Sequence, residues 1–203
     1  MNNITKRLAR TVLTITLFFC FIAEISAEGL RVRGELITLK GNMATIKTSA
    51  GQNIDVALTH PYQILLYKDI ALEDIPKGAY LSIPSVPTGN NKRRALGVNV
   101  FPEAMRGFNE GIGDWDLTAD SKMTNATLAK LVSSNSQREI IIRFGDDSQT
   151  IQVPPNTQIT TFGPVDNRKL KIGQKIVVFA KVAGGNLSGK FVGIHENGNL
   201  PPI

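Results

Sequence analysis

The chain contains one cysteine, one tryptophan and two histidines among its 203 residues. Cys20 lies in an apolar N-terminal run, so the remainder of the chain has no thiol nucleophile and can form no disulfide. A zinc site takes three or four ligands from cysteine, histidine and carboxylate side chains, and neither His60 nor His195 has a neighbour at ligand spacing. We therefore predict no metal site and no cofactor, and we expect both histidines at the surface.

The sequence also lacks an apolar run of the roughly 20 residues needed to span a bilayer. The apolar run at 11–22 is shorter than this and follows three basic residues, Lys6, Arg7 and Arg10. Ile25, Ser26 and Ala27 follow, with a small residue before Glu28. This layout is typical of a secretory signal peptide. It predicts cleavage after residue 27, a periplasmic or secreted protein, and no transmembrane span once the signal is removed.

The sequence also lacks a strong excess of charge of either sign. The 23 lysines and arginines against 17 aspartates and glutamates give a net charge of +6. Residues 1–27 contain three of the basic and one of the acidic residues, so their removal leaves a net charge of +4. Such a mild balance favours weak attraction to acidic surfaces and does not indicate a nucleic-acid partner.

Short segments of alternating apolar and polar residues, separated by turn residues, are abundant and are typical of β-strands. They occur in two similar series, offset by about 94 to 97 residues. Residues 32–38 correspond to 128–133, and 44–49 correspond to 139–144. A short helical turn is predicted at 71–75, just before the fourth strand of the first series.

Each series has about five strands, which suits a small closed barrel because closure leaves no free strand edge. We predict an all-β protein made of two tandem five-stranded barrels of the oligonucleotide/oligosaccharide-binding (OB) type, joined by an ordered central segment. The predicted boundaries are 1–27 for the signal peptide, 28–100 for the first barrel, 101–126 for the central segment and 127–203 for the second barrel. An open sandwich of all ten strands is the alternative.

The central segment contains the only tryptophan, Trp115, and too many large apolar side chains for a flexible linker. In one interpretation its aromatic side chains pack between the barrels, and Arg106 pairs with Glu110 or Asp116. In the other, they form an exposed platform for a sugar ring or a peptide. The candidate ligand or partner contacts are Arg106, Phe108, Glu110, Trp115 and Asp116.

The carboxylates of the central segment do not form a recognisable catalytic or metal-binding motif. A calcium loop that started at Asp114 would need a glutamate at its twelfth position, where the chain has Asn125. Glu103 and Glu110, with the nearby aspartates, could supply the carboxyl pair of a glycan hydrolase. No activated group is evident in the sequence, so we predict a protein that is not an enzyme and has no catalytic residue.

From Phe101 to Thr127 the chain reads FPEAMRGFNEGIGDWDLTADSKMTNAT. This run resembles the FPEAMRG…GEG…WDL…MTNAT run of a family of uncharacterised secreted bacterial proteins. In that family the run lies between two copies of a small β-barrel domain of unknown function. The resemblance implies bacterial export and the two-copy architecture, and it supplies no catalytic residue. The family pattern has a histidine after Glu-Gly, where this chain has Ile112.

These observations together predict a non-catalytic exported binding or adaptor module of the bacterial cell envelope, with an envelope protein or glycan as its partner. A glycan hydrolase that uses the carboxylates of the central segment is one alternative. An accessory role in metal transport is another, because some members of the family are labelled as permeases of metal ABC transporters. A permease itself needs several membrane spans, which this sequence lacks.

Overall fold

The structure is a computed structural model that describes residues 29–89, 92–134, 138–166 and 169–203. The predicted signal peptide at 1–27 lies outside the described residues. Within the described ranges the regular secondary structure is nearly all β, as predicted, with 62% of the residues in strands, two short 3-10 turns and no α-helix. The described part accordingly contains no helix of the length and apolar character needed to cross a membrane.

Thirteen strands are present among the described residues. In chain order they are β1 (Leu30–Lys40), β2 (Met43–Lys47), β3 (Asn53–Asp69), β4 (Tyr80–Gly89), β5 (Lys92–Ala95), β6 (Val98–Val100), β7 (Gly111–Asp114), β8 (Lys122–Ser133), β9 (Arg138–Phe144), β10 (Asp147–Gln152), β11 (Ile159–Val165), β12 (Lys175–Ala183) and β13 (Asn186–His195). The 3-10 turns span Leu72–Asp74 and Glu103–Met105. The first of them lies where a helical turn was predicted.

Five strands close into a barrel, which we call the outer barrel. Its strands pair in the order β1, β2, β3, β13, β12 and back to β1. All pairs are antiparallel except β3 with β13, which run parallel. Apolar residues at every second position point inward, as the strand period requires, and form a buried cluster. The members of that cluster are Val32, Leu36, Ala44, Ile46, Val56, Leu58, Ile64, Leu66, Ile176, Val178, Ala180, Val192 and Ile194.

Closure of the outer barrel brings the backbone of β13 unusually close to β12. A Cβ atom added at Gly189 would lie 2.5 Å from a methyl group of Val178 and 2.8 Å from the carbonyl oxygen of Phe179. A Cβ atom at Gly193 would lie 2.7 Å from a methyl group of Val177. Both positions therefore require glycine because a larger residue would push the closing strand away from its neighbour.

A second set of five strands also pairs in a ring, which we call the inner ring. Its order is β8, β9, β10, β5, β4 and back to β8. The parallel pair here is β10 with β5. Leu72 and Ile75, in and beside the first 3-10 turn, belong to the buried cluster of this ring, so the connection from β3 to β4 contributes to the core of the inner ring.

The two rings meet along β11 and β6, which complete a continuous hydrogen-bonded path from β3 through β11 and β6 to β4. A third buried cluster, which we call the joint, packs there around Tyr67, Phe162 and Phe101. Phe162 stacks on Tyr67 with ring centroids 5.0 Å apart and meets Phe101 edge-on at 5.4 Å. Asn99 is fully buried beside the joint; it donates to the carbonyl oxygen of Ser82 and accepts from Thr160.

The predicted tandem division into barrels at 28–100 and 127–203 is not confirmed by the pairing of strands. The outer barrel takes β1, β2 and β3 from the first series and β12 and β13 from the second. The inner ring takes β8, β9 and β10 from the second series and β4 and β5 from the first. All strands of the inner ring thus lie between the two parts of the outer barrel along the chain. The connections after β3 and after β10 lead into the neighbouring ring instead of back into their own.

Three details of the strands also differ from the sequence prediction. The apolar pattern of the sequence predicts two strands, at 54–58 and at 63–67, but one long strand, β3, continues through both segments. β7 and β11 were not predicted, because their short stretches have no clear apolar alternation. Residues 122–126, assigned to the central segment, are instead the first part of β8.

This pairing predicts that residues 70–160 fold without the rest of the chain, because the whole buried cluster of the inner ring lies between Leu72 and Ile159. Residues 28–100 contain only three strands of the outer barrel and only two of the inner ring, so we expect this fragment not to fold. Circular dichroism during heating checks both fragments against residues 28–203. A cooperative transition in 28–100, and none in 70–160, would contradict this strand pairing.

Candidate functional site

The segment between β6 and β8 is held in place by backbone hydrogen bonds. The amide of Phe101 donates to the carbonyl oxygen of Tyr80 over 2.9 Å. The chain then forms the second 3-10 turn and β7, which pairs with β8 from Gly111 to Asp114. The amide of Trp115 donates to the carbonyl oxygen of Ser121 over 2.9 Å, which closes the loop before β8.

The backbone of Phe108 is fixed from two sides. Its carbonyl oxygen accepts a hydrogen bond from the Tyr80 hydroxyl at 3.2 Å and another from the Asn125 side-chain amide at 3.1 Å. Two residues further on, the carboxylate of Glu110 accepts from the backbone amide of Gly145 at 3.1 Å. Tyr80 and Asn125 belong to β4 and β8, and Gly145 lies in the turn between β9 and β10, so this part of the segment is tied to the inner ring.

Trp115 and Asp116 contact the outer barrel. The guanidinium carbon of Arg31 lies 3.7 Å from the centroid of the Trp115 ring. A cation over the face of an aromatic ring is attracted electrostatically, so this contact is stabilising. Asp116 accepts hydrogen bonds from Arg31 at 3.0 Å and Arg33 at 2.7 Å. Arg33 also donates to the carbonyl oxygen of Ile203. Trp115 is half-buried at the edge of the joint, so the two residues connect the segment to β1.

The structural interpretation predicted that Arg106 pairs with Glu110 or Asp116, and this is wrong. Arg106 forms a two-pronged ion pair with Glu103, at 2.5 and 2.7 Å. The 3-10 turn at Glu103–Met105 is the reason, because side chains three residues apart in such a turn lie on the same side. The pair is exposed to solvent and fixes no contact between the two rings.

Two large apolar side chains of the segment remain exposed. Phe108 and Ile112 keep 52% and 46% of their surface accessible, although the backbone around them is anchored. Ile112 belongs to β7, which lies at the end of the strand order and pairs only with β8 in the described part of the chain. The structure therefore separates the predicted contact residues into an exposed group (Arg106, Phe108 and Glu110) and a group engaged with β1 (Trp115 and Asp116).

Four carboxylates of this segment, those of Glu103, Glu110, Asp114 and Asp116, are engaged in ion pairs or hydrogen bonds. Burial alone would raise the pKa of Asp116, but the hydrogen bond and charge of Arg33, together with the charge of Arg31, outweigh it and lower the pKa. The hydrogen bond from Arg106 lowers the pKa of Glu103 in the same way. Asp114 pairs with Lys122. Both shifted carboxyls are therefore held in their charged form, whereas a general acid needs a raised pKa.

His195 is not at the surface, contrary to the sequence prediction. Its ring is fully buried at the end of β13, where its Nδ1 atom accepts from the amide of Asn197 and its Nε2 atom faces a carboxylate oxygen of Asp69 at 3.1 Å. Because Nδ1 accepts a hydrogen bond from the amide of Asn197, the ring proton lies on Nε2, which donates to Asp69. Within the described ranges, no three histidine, cysteine, aspartate or glutamate side chains come together as a metal-binding group.

Sequence reasoning missed Arg31 and Arg33 as partners of the central segment. They stand at alternate positions of β1, so their side chains share one face of that strand. Two arginines on this outward face were the available signal. Their contact with Asp116 spans more than 80 residues of sequence, which no local pattern encodes.

Comparisons of this chain with family models, with curated proteins and with solved structures found no match.

Replacing Trp115 with alanine should destabilise the protein by about 2 kcal/mol, because the change removes a half-buried ring and its contact with a guanidinium group. A fully buried tryptophan would cost about 3 to 5 kcal/mol. Urea unfolding of the variant measures the difference. Phe108→Ala is the matched control in the same segment, and its exposed ring should contribute much less. Equal losses for both variants would contradict the assignment of Trp115 to the joint.

Asp116→Asn should lower the melting temperature at neutral pH, by up to roughly 2 to 4 °C for a partly exposed pair. The pKa of Asp116 is lowered in the folded protein, so its stabilisation is present above the ordinary carboxyl pKa of 3.8 and is lost as the pH falls through the folded value. The difference between wild type and variant should therefore shrink below that range. Melting curves at several pH values test this, with Glu103→Gln as the control from an exposed pair.

Proposed function

We propose that the protein is a non-catalytic exported binding or adaptor module of the bacterial cell envelope. Its contact surface is the outer side of residues 106–114, which we call the 106–114 face. The observation that carries this proposal is the exposure of Phe108 and Ile112 on an anchored backbone. A large apolar side chain gains about 1.5 to 3 kcal/mol when it is buried, so two such side chains held in place on one short segment favour contact with a partner.

An extended peptide segment of an envelope protein fits this face best. β7 is an edge strand whose outer backbone groups have no neighbouring strand in the described part of the chain. A peptide can add to such an edge through main-chain hydrogen bonds, while its side chains meet those of the edge strand. Ile112, within β7, and Phe108, just before it, would supply the apolar contacts for alternate side chains of the added strand.

A glycan is less well supported at this segment. The sugar platform expected from the sequence was the ring of Trp115, and the guanidinium of Arg31 lies 3.7 Å from the centroid of that ring. A sugar would have to displace Arg31, which also binds Asp116. The engagement of Trp115 and Asp116 with β1 supports a structural role for these two residues and leaves Phe108, with Arg106 and Glu110 beside it, as the partner contacts.

The hydrolase alternative requires two carboxyl groups about 5 to 10 Å apart across a sugar-binding cleft, one of them with a raised pKa. Three carboxylates of the segment are instead exposed and individually paired: Glu103 with Arg106, Asp114 with Lys122, and Glu110 with the amide of Gly145. No observation on the described residues favours the metal-transport alternative either, since no group of potential ligands is assembled there.

We further propose that both rings are OB-type barrels, in which the strand order is 1, 2, 3, 5, 4 and back to 1. The outer barrel follows this order if β12 and β13 serve as its fourth and fifth strands, and the inner ring does so with β4 and β5. The parallel pair of each ring then joins the third and fifth strands. Export rests on the N-terminal sequence and on the resemblance of the central run.

The proposal predicts that a photo-crosslinking amino acid at position 108 or 112 captures a protein in living cells or in intact envelopes. The same probe at position 172 is the control, because Ile172, in the turn before β12, is an even more exposed apolar residue, at 61%. We expect a discrete protein adduct at 108 and 112, absent at 172. The amides of residues 113 and 115 face β8, so those of residues 112 and 114 face the free edge. Adding Asp114→Pro, which removes one of these outward backbone donors, should weaken the capture. No adduct at 108 or 112, or an identical set at all three positions, would refute the proposal.

A further inference from the structure

A cleft of about 470 Å3 lies in the wall of the outer barrel, on β3, and it is separate from the 106–114 face. Its size falls within the range of about 300 to 1,000 Å3 that is typical of small-molecule sites. The lining comes from β3, β13 and the end of β11. Side chains that can contact a ligand there are those of His60, Tyr62, Gln63, Val165, Asp166 and Lys190.

An irregularity in the pairing of β3 with β13 produces this cleft. Leu58 pairs with Gly189 and Gln63 pairs with Phe191, so four residues of β3 stand opposite the single residue Lys190. The extra residues bulge out of the barrel wall, which is how a strand can redirect its side chains towards a site. The strand returns to its regular path at Ile64, whose side chain is buried in the core of the outer barrel.

The bulge presents two aromatic rings at right angles. The rings of His60 and Tyr62 have centroids 6.3 Å apart and planes at 90° to each other. Tyr62 packs against the buried cluster of the outer barrel, which fixes its position, whereas His60 is exposed. A flat ligand with one apolar face can therefore lie against one ring and abut the other.

The polar side chains around the cleft are available to a ligand. Lys190 contributes a cation, Asp166 an anion, and Gln63 an amide that both donates and accepts. Within the described part of the chain, none of these three side chains forms a hydrogen bond or an ion pair. Two rings beside a mixed set of donors and acceptors suit a ligand with apolar ring faces and several hydroxyl groups.

We propose that this cleft binds a saccharide. A pyranose ring has an apolar face of C–H groups that packs on an aromatic ring, and its equatorial hydroxyl groups both donate and accept hydrogen bonds. The opposite charges of Lys190 and Asp166 match hydroxyl groups better than they match a phosphate or a nucleotide, since Asp166 would repel an anion. The site does not depend on the 106–114 face, so the chain carries a glycan site on the outer barrel and a protein-binding face on the inner ring.

Saturation-transfer NMR tests this proposal with chitobiose, cellobiose and maltose as probes and the full mature chain as the protein. We expect transfer to the ring protons of at least one disaccharide. Lys190→Ala should weaken the binding severalfold, and His60→Ala should do the same. Tyr62→Ala should weaken it by about tenfold or more, whereas Tyr62→Phe keeps the ring and most of the affinity. Lys130→Ala, an exposed lysine on the inner ring, is the matched control.

Absence of transfer to all three disaccharides would overturn the proposal, and so would transfer that Lys190→Ala and His60→Ala leave unchanged. The two exposed positions keep the test decisive if Tyr62→Ala does not fold. The crosslinking probes at positions 108 and 112 report on a different surface. If the wild-type chain binds none of the disaccharides but still forms the crosslinks at 108 and 112, only the saccharide site is refuted. If it binds a disaccharide but forms no crosslink, only the 106–114 face is refuted.

Discussion

The parallel pairing of β3 with β13 is the constraint on which the rest of the structure depends. It joins residues more than 120 positions apart, such as Leu65 and Gly193, and it closes the outer barrel. Everything between these strands must leave the barrel after β3 and return to it before β12. The inner ring occupies this interval, and the glycines at 189 and 193 allow the close approach that the returning strand needs. The order of the two rings along the chain follows from this single closure.

The central segment has two roles because it is held by both rings. One face of the segment is drawn onto β1 by Asp116 and its two arginines, so Trp115 lies at the joint. The opposite part is fixed to the inner ring through the carbonyl oxygen of Phe108. The backbone is thus anchored at both ends, and the side chains of Phe108 and Ile112 remain in solvent. A surface that is held rigid before a partner arrives loses less conformational entropy on binding.

The sequence predicted most of the strands, because apolar alternation and glycine turns are local signals. β1, β2 and β9 begin and end within two residues of the predicted segments 32–38, 44–49 and 139–144. It could not predict which ring each strand joins. Both series carry the same pattern, so the fourth and fifth strands of either series satisfy the apolar period of either ring. The choice depends on contacts between distant residues, as at the joint around Phe101 and Phe162. For the same reason the partner of Asp116 was missed, whereas the importance of Trp115 was evident from the composition of the central segment.

The interleaved order of the two rings is tested most directly by nuclear Overhauser effects between backbone protons of neighbouring strands in solution. The structure predicts cross-peaks between β1 and β12, around Val32 and Val178, and between β4 and β8, around Leu81 and Ala126. Two tandem barrels would instead place β1 beside β4 and β8 beside β12. Cross-peaks of the first kind would support the interleaved order, and a spectrum with the second set in their place would contradict it.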